Sequence, residues 1–129
     1  GATVTATRCD FMENGQCGVE YFGANTKVRL NDSTMHHNGQ AGLYAHDRAV
    51  VDLHGTKTDI HSNKRDGIVA IENAKVNIHL PSQHNTSHDN VGQDRHQEAM
   101  FGASAGSIAN INADGTFTHV VTEEEDDDY

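Results

Sequence analysis

Apolar residues alternate with polar ones in short segments along this chain, and the segments recur about every 24 residues. Val4-x-Ala6, Val28-x-Leu30, Val51-x-Leu53 and Val76-x-Ile78 form one set. Cys9-x-Phe11, Ser33-x-Met35 and Thr58-x-Ile60 form a second, and Val19-x-Tyr21, Leu43-x-Ala45 and Ile68-x-Ala70 a third. A period of two predicts strands buried on one side. No coil shows the i, i+3, i+4, i+7 spacing of a helix, and Gly, Asn and β-branched residues recur where helix interiors reject them.

Between the second and third segments stand Asn14, Asn38 and Asn63, each followed four residues later by Gly18, Gly42 or Gly67. A fixed step of this size marks a repeat architecture. Three strands per step predict an all-β fold, a single right-handed parallel β-helix of about four to five three-strand coils, each strand pairing with its equivalents about 4.8 Å above and below. Val4/Val28/Val51/Val76, Phe11/Met35/Ile60 and Val19/Leu43/Ile68 are the expected core columns. The solenoid is expected over residues 1–111, with an insertion at about 91–101 in the fourth coil, a strand or covering segment at 112–122 and an acidic tail at 123–129. The structural Asn ladder of Asn14, Asn38 and Asn63, with Asn90 as a fourth rung, is assigned to a corner, where Asn tolerates a left-handed backbone and its amide pairs with the next coil.

The pattern Asn-x-x-x-Gly-(Ile/Leu/Val)-x-(Ala/Tyr), then x-x-x-Ala-x-Val-x-(Leu/Ile), resembles the PbH1 repeats of the pectate-lyase-like superfamily. That superfamily includes NosD-like proteins and the carbohydrate-binding and sugar-hydrolase domains. The resemblance covers about 2–78 clearly and 80–111 weakly, and it implies fold more than activity. Polygalacturonase-like members carry Asn-Thr-Asp, Asp-Asp and Gly-His-Gly segments and alginate epimerases an Asp-Pro-His segment, none of which occurs in these coils. Pectate lyases need a calcium-binding acidic cluster with an Arg base, whereas the acids here are scattered among coils. Four or five coils rise only about 20–25 Å, little room for a polysaccharide cleft. A catalytic site is therefore not expected.

Composition narrows the partners. The net charge is −10, but 123–128 hold six of the 19 acids, leaving 13 against nine bases. A mildly acidic body argues against nucleic acid, and no apolar run approaches the roughly 20 residues of a membrane span. The chain starts without Met or a signal peptide, which reads as processing or excision. Asn31-Asp32-Ser33 and Asn85-Thr86-Ser87 are N-glycosylation triplets and point to an extracellular or cell-surface setting. Cys9 and Cys17 allow one disulfide, or stand as two free thiols.

Two outer features carry candidate chemistry. His54 and His79, and likewise His36 and His61, fall one coil apart, so each pair could share a transition metal if another ligand completes the shell. No cofactor is otherwise implied; calcium is the other candidate ion. The outward positions of the third strands, Glu20/Tyr44/Val69 and Phe22/His46/Ile71, form a partly aromatic stripe that either interacts with a partner or lies under 91–101 or 111–122 as a second small core. Open solenoid ends also invite stacking, and an acidic tail suits a basic partner. The expected function is a non-catalytic extracellular module that self-associates, as homo-oligomer or filament, or docks a neighbouring domain. The alternative is a glycan-binding or carbohydrate-active domain for acidic polysaccharide, with Tyr44, His46 and Phe22 stacking on sugar.

Overall fold

The computed structural model describes residues 2–79, 87–98 and 105–119. The first strands of successive coils are β1 (Thr3–Thr7), β4 (Lys27–Asn31), β7 (Val50–His54), β10 (Lys75–His79) and β13 (Ser107–Ile111). The second strands are β2 (Asp10–Met12), β5 (Thr34–His36), β8 (Asp59–His61) and β11 (Ser87–His88); the third are β3 (Val19–Phe22), β6 (Leu43–His46), β9 (Ile68–Ile71) and β12 (Arg95–Glu98). Each set stacks in parallel into one sheet, making a three-walled right-handed solenoid. A final strand, β14 (Phe117–His119), runs antiparallel along β13 and covers the edge of the first sheet.

Register puts like on like. Val4, Val28, Val51, Val76 and Ile108 stack in one inner column, Phe11, Met35 and Ile60 in the second sheet, and Val19, Leu43 and Ile68 in the third. From Val28 to Ile108 these inner residues of the first sheet are buried, and their packing in one cluster is the apolar driving force. Beyond β10 the inner positions turn polar: Ser87, Arg95 and Gln97 of the fourth coil sit above Ile60, Ile68 and Ala70, and Asn110 of β13 above Ile78. Gln97 reaches across to accept the Ile108 amide at 2.6 Å, and Arg95 lies 3.4 Å from Asn110. Residues 95–98, expected within an insertion at about 91–101, are in register with β9, so the extra length of this coil falls between 79 and 87 and between 98 and 107.

The Asn column forms a continuous ladder. Both the main-chain and side-chain N–H groups of Asn14 donate to Asn38 Oδ1 at 3.2 and 3.0 Å, those of Asn38 to Asn63 Oδ1 at 3.1 and 2.9 Å, and those of Asn63 to Asn90 Oδ1 at 3.0 and 2.8 Å. Asn38 and Asn63 also donate sideways to the Phe11 and Met35 carbonyls. Asn90 ends the ladder on Asp94 Oδ1 at 3.0 Å. The left-handed backbone expected at these asparagines belongs instead to the residue before each one: φ is 55° at Glu13, 55° at His37, 58° at Ser62 and 55° at Asp89. That turn aims the Asn side chain inward, where its amide serves two coils at once.

The ladder also explains the glycines. A Cβ on Gly42 would lie 2.7 Å from Asn63 Nδ2 and 2.6 Å from Ile60 Cγ2, and one on Gly18 would lie 2.7 Å from Asn38 Nδ2. Cys9 and Cys17 are free thiols, so no bridge forms; Cys9 faces the Thr7 carbonyl and Cys17 the Gln40 amide oxygen.

Asn38→Ala empties a fully buried rung, leaves the Asn14 donors and the Phe11 carbonyl without this partner, and should destabilise the fold by about 2–4 kcal/mol. Asn14→Ala, which removes only donors from an exposed rung, should cost about 1 kcal/mol. Denaturant titration of both variants checks the order; equal losses would contradict the ladder's role.

Candidate functional site

In the first three coils the inner positions are committed to packing, so candidate chemistry is sought among the outward-facing side chains. Their commonest arrangement is a diagonal one. His36 Nε2 lies 2.9 Å from Asp10 Oδ1, His46 Nε2 2.9 Å from Glu20 Oε2, His79 Nε2 2.7 Å from Asp52 Oδ1, and His88 Nε2 2.8 Å from Asp59 Oδ1. In each pair the histidine sits one coil up and two residues on, the diagonal neighbour on one face of a sheet. Column reasoning on the sequence misses this. It places Asp52 and Asp59 outside any ligand column, whereas a search for a carboxylate one repeat and two residues before each His finds all four pairs.

The histidines also stack on each other. His36, His61 and His88 form a column with ring centroids 5.0 and 5.4 Å apart, close to the coil spacing. His54 and His79 approach to 4.0 Å with planes 8° apart, and Asp52 joins them in a compact group. Thus both expected histidine pairs are brought together, on two different walls. Burial holds the His54 imidazole below its ordinary pKa, with His79 and Arg29 acting the same way and Asp52 against them. Burial likewise lowers His61, partly opposed by Asp59. His88 is raised, first by its bond to Asp89 and also by Asp59, against a smaller effect of burial.

The third wall carries a recess. Ala41, Val69 and Ile71 are buried as a second small apolar cluster, with Tyr44 and Cys17 packed against it. Around them Gln40, Arg65, Asp66 and His96 complete the lining of a cavity of about 170 Å³. The Gln40, Ala41, Arg65 and Asp66 contributions come from the bends between ladder Asn and Gly, a source the strand pattern does not reveal. Burial alone would raise the Asp66 carboxyl, but hydrogen bonds from His96 and from the Gln93 amide outweigh it and hold it low. Burial pushes the Cys17 thiol up, so it is a poor nucleophile.

Below the recess the stripe is open. Phe22 is 59% exposed and stacks on His46 at 5.2 Å, and Tyr44 meets the same imidazole edge-on at 5.2 Å. His46 is held between Glu20 and Glu72. Of the segments expected to cover the stripe, 117–119 pair with the first sheet instead. Met100, Phe101, Val120 and Val121 lie outside the described residues, as do Asn85 and the tail 123–129. Asn31, the other glycosylation candidate, is half-buried in β4 with its amide oxygen bonded to Arg29 and its nitrogen to Thr7.

Among the described residues no helix is long and apolar enough to cross a membrane. A family model described as "Right handed beta helix region" matches residues 1–99, and no curated protein or solved structure matches the chain.

The raised pKa of His88 has a definite sign. Its protonated form is favoured by folding, so the stabilisation is full below the unfolded value of about 6.5 and is lost as pH rises through the higher folded value. His88→Gln should therefore cost more stability at about pH 5 than at about pH 8, measured by denaturant midpoints at both. The reverse order would contradict the Asp59–His88–Asp89 arrangement.

Proposed function

The chain belongs to the right-handed beta helix family, and on that premise we propose that it is a non-catalytic interaction module that self-associates through the outer face of its third sheet. What supports this reading is a knob and a hole on one surface. Phe22 projects from the first coil, and the recess around Ile71 opens two coils above it in the same column, roughly 10 Å away. A face carrying both is self-complementary: a twofold axis between them lets each copy's Phe22 enter the other's recess. The cavity is smaller than the roughly 300 Å³ or more of a pocket for a drug-sized ligand, and is on the scale of one aromatic side chain. Tyr44 at its wall is one of the residue types enriched among the anchors of such contacts. The extracellular setting rests on the two Asn-x-Ser triplets alone.

A second reading has its own support in the open Phe22–His46–Tyr44 ledge, which could stack on a sugar ring. Glu20 and Glu72 flank His46, so a neutral sugar suits this ledge better than an acidic polysaccharide.

Sedimentation at several concentrations separates the readings. Self-association is expected, and Phe22→Ala, which touches no core, should weaken it at least about tenfold. A stable monomer, or association indifferent to Phe22→Ala, would overturn the proposal. A monomer that binds neutral oligosaccharides only while Phe22 is present would put the second reading in its place.

A further inference from the structure

The first sheet carries, on its outer face, a group that neither docking nor folding uses. Asp52 in β7, His54 two residues on, and His79 one coil above it each offer one ligand atom, and these atoms all lie within 4.8 Å of one another. We propose that Asp52, His54 and His79 bind a divalent first-row transition metal ion such as zinc, leaving the remaining coordination positions open to water or to a ligand.

The geometry separates this group from the other histidines. Stacked strands sit about 4.8 Å apart, and imidazoles that merely occupy equivalent positions should keep that spacing. The His36–His61–His88 column does so, at 5.0 and 5.4 Å. His54 and His79 lean together to 4.0 Å over a carboxylate. Two imidazoles and a carboxylate are a ligand set used for zinc and for other first-row ions. Zinc–nitrogen bonds of about 2.0–2.1 Å place tetrahedral ligand atoms about 3.3 Å apart, so the widest pair needs to close by about 1.5 Å at most and the 2.7 Å His79–Asp52 contact to open slightly, both within side-chain rotation. Asn77 Nδ2 donates to Asp52 Oδ1 at 3.1 Å and orients the carboxylate, as outer partners of metal ligands do. The side chains of His79 and Asp52 are 30% and 31% exposed, so an ion can enter from solvent.

One feature opposes binding and supplies a control. Arg29 occupies the position below Asp52 in register and donates to Asn31, placing a positive charge beside the ion. Removing that charge should strengthen binding, whereas loss of a ligand should weaken it.

The test is zinc titration of the whole chain by competition with a chromophoric chelator, with cobalt absorption reporting geometry. One equivalent should bind, and His54→Gln with His79→Gln should lower its affinity by about 100-fold or more, since even outer-partner changes cost 10–100-fold. Arg29→Gln should raise affinity, and His36→Gln with His61→Gln should leave it unchanged. Imidazole NMR of the unaltered chain supplies a readout free of folding effects: His54 and His79 resonances should move first. Equal affinity in the His54/His79 double variant, or first movement at His36, His61 or His88, would overturn the assignment.

Discussion

The structure depends on one side-chain amide repeated once per coil and fully buried in the second and third. A sharp corner leaves main-chain N–H and C=O groups that strand pairing cannot reach, and where the corner is buried they need partners from the protein itself. Each ladder Asn answers on both sides, donating upward to the next rung and sideways to the carbonyl of a second-sheet strand. The ladder in turn dictates the Gly column, because the amide of the next rung occupies the space where a Cβ would stand. A conspicuous Asn-Gly signature is thus a packing constraint, and it leaves the outer wall free to vary.

What the outer wall does with that freedom is electrostatic. Four carboxylates spread over the three sheets are met by histidines on the coil above. Such half-exposed pairs contribute little stability each, and their strength depends on the protonation of the imidazole. They also bring acids and imidazoles together on a rigid scaffold, where a closer lean at His54 and His79 gathers the group proposed to hold a metal ion.

The solenoid was legible because its evidence is redundant: three alternating segments, one Asn and one Gly recur in fixed order, and each coil checks the others. The inner columns and the ladder follow from that alignment alone. The corner conformation was not legible, since the left-handed positions are filled by four different residue types, Glu13, His37, Ser62 and Asp89, and so form no repeated column. The diagonal partners of Asp52 and Asp59 were hidden because stacking reasoning compares equivalent positions, whereas long side chains reach two residues along. Tyr44, Val69 and Ile71 were visible as an apolar stripe, but Arg65, Asp66 and His96, which make it a recess, come from a bend and from the next coil.

The inner columns change character beyond β10, where Ser87, Arg95 and Gln97 of the fourth coil and Asn110 of β13 replace apolar residues. The tube is therefore amphipathic along its axis as well as across its wall. A coil laid on this layer would meet amides and a guanidinium instead of oil, so its placement would be governed by hydrogen-bond matching, which is directional and exacting, rather than by forgiving hydrophobic contact. The same Asn and Gly logic that makes coils interchangeable in the middle of the solenoid ceases to apply there, and the layer gives the repeat a polarity that its period alone would not reveal.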